Sequence, residues 1–515
     1  MLKLFNTLSA IALGGVLLAA APVAVQAQTR APSYPAFGPQ RAPYKIEGPI
    51  AIVGGVLIDS TGAGPKTGYT VLIEGDKIAQ VGPSATVAIP QGARVIDASG
   101  MTVMPGLINT NEHVQLNPLY PAPVADLPMA QLLARWEENF SNMPKKAFVE
   151  LMQGVTTQRQ TSGPFKRLIP IKHRIDAGEI AGPRILLGGA LIMSPQFFKH
   201  YIEQNKTPAD AVQWMHDDFA YFVLDDIDKD TDELLGPDFS YWKIYFSDEK
   251  FNGSNDFTDD QVRKIIEKAH KAGKKVDVHA NSTPEGYARL LKFDFDTIEH
   301  PFVTDFLQDP QTIAGIAKKN IIIASLLHVR VTAAEHAADP DRFDQTDYIM
   351  SYPPEDYATL MSYRDKMLYN ERHPDAKGLS IYDKRASQSD MFGQSGPSFN
   401  EQQKGADTAR ENMRRFMQGG VKFSMGTDST SFLNFLQDDP NAAEMKDMTT
   451  IGMTPMQAII ASTRNGAEAV GMLDKLGTIE PGKLADVIVV AGDPLKDISA
   501  MKRVAYVIKG GIRYK

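Results

Sequence analysis

Asn111, Glu112 and His113 close an apolar run, Met104-Pro105-Gly106-Leu107-Ile108, and are the first side chains in the sequence placed to do chemistry. Alternate residues of an extended strand share a face, so Asn111 and His113 point one way and Glu112 the other, toward the outer side and out of any ligand set. An amide and an imidazole two residues apart are half of a metal site. Suitable partners stand downstream: Lys243 in Tyr241-Trp242-Lys243-Ile244-Tyr245, His279 after Lys275-Val276-Asp277-Val278, His300 in Ile298-Glu299-His300, and Asp428 in Gly426-Thr427-Asp428. The chain has only 10 histidines, and three of them fall at the ends of predicted strands. It has no cysteine, which excludes thiolate metal sites, disulfides and cysteine nucleophiles, so any metal must be held by imidazole, carboxylate or something less usual.

Those residues need elements to bring them together, and past Gly106 the sequence alternates strands with helices. Thr258 and Gln261 form a capping box, Val262, Ile265, Ile266 and Ala269 recur at helical spacing, and Gly273 suits the end of that helix. Asp309-Pro310 opens another helix, and 407–418 a third. Eight strands are predicted to start near Thr102, Val155, Arg184, Tyr241, Val276, Thr297, Ile321 and Val421. The pattern predicts an α/β fold, a (β/α)8 TIM-type barrel, in which functional groups sit at the C-terminal ends of the strands. Tyr245, on the same face as Lys243, and His328, just past strand seven, are candidate substrate contacts. Taken singly, each residue has a plainer reading: Lys243 in a salt bridge, the histidines as structural groups, Asp428 as a helix cap, His328 on the surface.

Short β-rich runs before Met104 predict a small antiparallel sheet, and β-rich character returns at 485–490 and 504–508. Both ends therefore predict one composite β-sandwich. The expected organisation is a signal peptide at 1–27, a Pro-rich leader at 28–48, sandwich at 49–104, barrel at 105–470 and sandwich again at 471–515. Insertions are expected at about 194–235 and 330–404. The second would roof a substrate pocket, or contact solvent or a second copy in a homo-oligomer.

Lys3, the apolar run 11–21 and Val25-Gln26-Ala27 have the form of a secretory signal cut after Ala27, predicting a periplasmic or secreted protein with no membrane attachment after processing. A formal charge of -8 without a basic block points away from nucleic acid as a partner.

Beyond these features, the chain resembles the amidohydrolase superfamily, in its imidazolonepropionase-like and Xaa-Pro-dipeptidase-like branch. The resemblance spans the whole mature chain and rests on Val103-Met104-Pro105-Gly106-Leu107-Ile108, Gly154-Val155-Thr156-Thr157, Ile180-Ala181-Gly182-Pro183-Arg184, Lys243, Val278-His279-Ala280, Ile298-Glu299-His300, Gly426-Thr427-Asp428 and, most specifically, the stretch from Gly477 to Asp486. It implies up to two divalent ions, zinc above all. His113 and Asp428 would hold a buried ion, His279 and His300 an outer one, and Lys243, as a carbamate formed with carbon dioxide, would bridge them. Asp428 would shuttle the proton between water and the leaving nitrogen. The chain departs from the family at Asn109, where aspartate is usual, and at Asn111, where histidine is usual. A neutral amide is a poorer ligand, so one tight outer ion and an optional inner one are expected. The implied substrate is a small amide such as an N-acyl amino acid or dipeptide; a cyclic amide or lactone, or a catalytically lapsed ligand-binding barrel, are the alternatives.

Overall fold

The computed structural model describes residues 48–114, 128–204, 212–213, 221–246, 257–280, 282–301, 305–331, 399–429 and 439–515. The expected export signal, nearly all of the leader and most of the second insertion lie outside these residues.

The first strands are β1 (Ile50–Val53), β2 (Val56–Leu57), β3 (Tyr69–Glu74), β4 (Lys77–Pro83), β5 (Arg94–Asp97) and β6 (Met101–Pro105). The barrel strands are β7 (Leu107–Glu112), β8 (Val155–Gln160), β9 (Arg184–Met193), β11 (Phe239–Phe246), β12 (Lys275–Ala280), β13 (Thr297–Glu299), β14 (Ile322–Ala324) and β15 (Phe423–Ser424). Tyr221–Val223 (β10) adds to the end of β9 from within the first insertion. The chain ends in β16 (Val487–Ala491), β17 (Val504–Lys509) and β18 (Ile512–Arg513).

The eight barrel strands pair in parallel and in chain order from β7 to β15. The ring closes between the last strand and the first: Thr110 N–H donates to Met425 O at 2.8 Å, and Thr427 and Asp428 N–H both donate to Asn111 O, at 3.0 and 2.9 Å. The alternation in β11 shows why such strands make a site. Trp242, Ile244 and Phe246 are buried in the apolar core, while Tyr241, Lys243 and Tyr245 occupy the other face. In β12 Val276, Val278 and Ala280 divide from Asp277 and His279 in the same way.

The capping boxes at Thr258–Gln261 and Thr454–Gln457 are both formed, and Asp309 caps the Pro310–Lys318 helix. The helix predicted over 407–418 is longer and runs Phe399–Gln418. Both chain ends build the sandwich. One of its sheets runs β4-β3-β1-β5; the other runs β18-β17-β16-β6-β2, joining C-terminal to N-terminal strands. Ile50, Ile52 and Val71 from one end and Val487, Val489 and Ile508 from the other share a single apolar cluster. The expectation of purely antiparallel pairing is corrected, because β1–β5 and β2–β6 are parallel.

The strand expected from Thr102 is two strands. Residues 101–105 pair with β16 and β2 in the sandwich, and the barrel strand starts at Leu107. The switch falls at Gly106: its N–H donates to Asp486 O at 3.0 Å, whereas the next N–H, of Leu107, donates to Gly154 O at 2.9 Å. A Cβ on Gly106 would stand 2.3 Å from Thr156 Cγ2 and Oγ1, so only glycine lets the chain pass this close to β8 while it changes sheets. Among the described residues no helix is long and apolar enough to cross a membrane.

Candidate metal centre

His113 directly follows β7, His279 is the next-to-last residue of β12, His300 directly follows β13, and Asp428 lies four residues past β15. The barrel brings all four to one rim. His113 Nε2 stands 3.0 Å from Asp428 Oδ1, and His300 Nδ1 stands 3.9 Å from Asp428 Oδ2. The rings of His279 and His300 are 4.1 Å apart between centroids. Burial, followed by the nearby positive charge of Lys243, holds His279 well below the usual imidazole range; for His300 burial and then His279 do the same. Both are therefore neutral imidazoles at neutral pH, the form that ligates metal.

Beneath the histidines lies a layer of buried charge. Arg159 Nη1 donates to Asp277 Oδ1 at 2.7 Å, and its Nη2 reaches Glu299 Oε1 at 3.4 Å. Lys243 Nζ makes an ion pair with Glu299 Oε2 at 2.6 Å. All four side chains are buried. Neither Arg159 nor Glu299 stands out as a site residue in sequence reasoning, although a basic residue inside the buried strand Thr157-Gln158-Arg159-Gln160 is a signal in itself. Burial pushes Asp277 well above the usual carboxylate range, against the pull of Arg159.

The donor set fits a divalent cation in part. Among the described residues no three His, Asp or Glu side chains already converge as a closed metal-binding group. The chemistry is nonetheless suitable at the histidines. His113 Nδ1 faces the carbonyl oxygen of Ser162 at 3.2 Å, and its Nε2 faces Asp428 Oδ1 at 3.0 Å, so each ring nitrogen meets an acceptor that holds the ring in place. Asn111 is fully buried on the same side: its Oδ1 accepts from Thr161 Oγ1 at 3.0 Å, and its Nδ2 has no hydrogen-bond partner. An amide whose oxygen is already engaged and whose nitrogen can only donate is a poor substitute for imidazole. Lys243 Nζ is paired with Glu299 Oε2.

Tyr245 stacks on His279 at 4.6 Å between centroids and is itself stacked by Phe197 at 4.3 Å. Phe197 belongs to the Pro195–Gln204 helix of the first insertion, so that insertion reaches the histidines through a column of rings. Sequence periodicity carried no sign of it, since Phe197 and Tyr245 are far apart along the chain. His328 is buried: its N–H donates to Glu444 Oε2 at 2.6 Å, and its Nδ1 stands 3.2 Å from Asp447 Oδ2. Glu112 Oε1 accepts from Lys146 Nζ at 2.6 Å and from the backbone N–H of His113 at 2.8 Å.

The model of the amidohydrolase family matches residues 102–513. An imidazolonepropionase of Porphyromonas gingivalis is 34% identical over 101 residues, 19% of this chain and 24% of that protein. The chain thus matches only about a quarter of that curated relative's length. Among solved structures, a Xaa-Pro dipeptidase with methionine bound in its active site is similar with a TM-score of 0.62 and 21% identity, covering 91% of this chain and 100% of that one. Phenylurea hydrolase B is similar with a TM-score of 0.65 and 21% identity, covering 90% and 96%.

The carboxylate that holds the turn after β14 generates a pH prediction. Burial, and after it the charge of Asp447, pushes Glu444 up to about 7 from the ordinary 4.5. Between those values the folded chain binds more protons than the unfolded chain, so this group's stabilisation is fully present below about pH 4.5 and is lost as pH rises through about 7. Urea titrations should show Glu444→Gln flattening that decline, by an amount of order 3 kcal/mol across the window. An unchanged slope in the variant would contradict the assignment.

Proposed function

The chain belongs to the amidohydrolase family, and from that membership together with the rim geometry we propose that it hydrolyses a carbon–nitrogen bond in a small substrate, an N-acyl amino acid or a dipeptide. The observation that carries this reading is the meeting of His113, His279, His300 and Asp428 at one end of the barrel. His279 and His300, with Lys243 beneath them, would hold one tight divalent ion, zinc by donor type, and His113 and Asp428 an optional second. Such an ion, when bound, lowers the pKa of water toward neutrality and polarises a carbonyl. A carbamate on Lys243 would give up the contact with Glu299, which keeps Arg159 as its cation.

The chain's own groups do the rest. Asp428 takes a proton from the attacking water and returns it to the leaving nitrogen, with His113 Nε2 at 3.0 Å fixing its orientation. Tyr245 and Phe197 hold the ring plane of His279. Arg330, exposed just past β14, lies close enough for its charge to lower the basicity of both His279 and His300. A cation at that place suits the carboxylate of an acylated amino acid. The form of residues 1–27 supports export to the periplasm or beyond.

The direct test is turnover by the mature chain, with added zinc, on a panel of N-acyl amino acids, Xaa-Pro dipeptides, cyclic amides and lactones. Hydrolysis of the first two classes is expected. Asp428→Asn should lower kcat by about 100-fold or more while circular dichroism stays unchanged. Arg330→Gln should raise KM about tenfold for substrates carrying a carboxylate and leave uncharged amides unaffected. No turnover on any member would leave a small-ligand-binding barrel as the reading. Elemental analysis after dialysis should find one ion per chain; two that both survive would overturn the weakened inner position. Terminal sequencing of the exported protein should begin at Gln28, and an intact Met1 would rule out processing.

A further inference from the structure

The position of Lys146 has no counterpart among the metal-capable residues, yet its Nζ is buried at the back of the seam where the barrel closes. It donates to Glu112 Oε1 at 2.6 Å, to Ser429 O at 2.6 Å and to His113 O. Those three acceptors match the three protons of an ammonium group. The Glu112 carboxylate is used as completely. Its Oε1 also accepts His113 N–H at 2.8 Å, while its Oε2 accepts Asn109 Nδ2 at 3.0 Å and the hydroxyl of Thr427.

Together the pair grips each site residue from both sides. His113 is held by its own N–H and its own carbonyl. Asp428 is held through its two neighbours, Thr427 by side chain and Ser429 by carbonyl. Asp428 also has φ +47, a left-handed backbone that a non-glycine residue keeps only where the surroundings over-determine it. Glu150, one turn further along the Met129–Met152 helix, stands 3.3 Å from Lys146 Nζ; burial first, then the charge of Glu112, raises it well above the usual carboxylate range.

We propose that the buried Lys146–Glu112 pair is the brace that sets the distance between His113 and Asp428, doing by hydrogen bonds what a shared ion would do by coordination. Lys146 is thus a positioning residue, acting on the site through backbone atoms. Asn111 gives the brace its purpose: where the amide weakens the inner ion, the first and last barrel strands still need a fixed separation at the rim. The catalytic importance of that separation rests on the hydrolase reading, but the brace itself does not.

The test therefore uses two readouts. In metal-free protein labelled with 15N at histidine, the ring signals of His113, identified by their loss in His113→Gln, should move in Lys146→Met and return most of the way in Lys146→Arg. On the best substrate of the panel Lys146→Met should lower kcat about tenfold or more with KM within about threefold, and Lys146→Arg should recover part of it. Should Lys146→Met fail to fold, the near-isosteric Glu112→Gln decides on the same readouts. A folded variant with unmoved His113 signals and kcat within about twofold of the parent overturns the proposal. If the parent turns over nothing, the ring signals decide alone, so the brace can stand while the hydrolase reading falls.

Discussion

Two cations and two carboxylates shut inside the barrel are the interaction on which the rest of the structure depends. Arg159 contacts both Asp277 and Glu299, and Glu299 also contacts Lys243, so the four groups form one chain of contacts. Removing one member would strand its partner without water, a change that costs about 3–5 kcal/mol in comparable buried pairs. The layer also determines where the chemistry can be. Asp277 is two residues before His279, Glu299 is next to His300, Arg159 is two before Thr161 and Lys243 is two before Tyr245. Because side chains two apart share a face, pairing charges low in the barrel obliges the next inward residues to stand at the rim. Arg159 further ties its strand to the first by donating from Nε to Thr110 O at 2.7 Å.

Above that layer the strands end abruptly, and the backbone bears the consequence. His300, Leu326 and Asp428 have φ of +52, +51 and +47, one just after each of three neighbouring strands, β13, β14 and β15. Each such turn costs roughly 1–2 kcal/mol for a residue with a Cβ. At two of them the compensation is visible. Past Leu326, Glu444 accepts the N–H groups of both Leu327 and His328. At Asp428, Asn111 O accepts its N–H, and Lys146 holds the next carbonyl. Rigid turns at the mouth are what a site made of separate strands requires, since a displacement of about 1 Å in one catalytic group can cost a factor near 100 in rate.

Much of this architecture was legible in the sequence because it rests on local periodicity and caps. Val262, Ile265, Ile266 and Ala269 mark one face of a helix, and Thr258 with Gln261 marks its start, whatever lies elsewhere in the chain. The strand-end residues could be found because the barrel rule turns eight local predictions into one common edge. What escaped notice depends on contacts between distant residues. Arg159 reads as one basic residue in a strand until Asp277 and Glu299 are known to face it, 118 and 140 residues on. Lys146 and Glu112 look like ordinary surface charges. The change of sheet at Gly106 was hidden for a different reason: residues 103–108 form one apolar run, and only the approach of Thr156 shows where it breaks.

The ring column narrows what the first insertion can contribute. One ring contact of Tyr245 is made with Phe197 and another with His279, so its aromatic ring is engaged in the stack. The stack also makes the insertion part of the mechanical support of the histidine cluster, since moving Phe197 moves the ring that orients His279. Polar residues there would put water against an imidazole whose neutral form depends on burial, whereas aromatic ones keep it dry. The proposed preference for a ligand with an apolar acyl part and an anionic end rests on the aromatic wall on one side and the charge of Arg330 near the same two histidines. Selectivity on that account would follow from the polarity of the rim more than from the ions, because neutral imidazoles and Asp428 place no demand on the substrate beyond a carbonyl to attack.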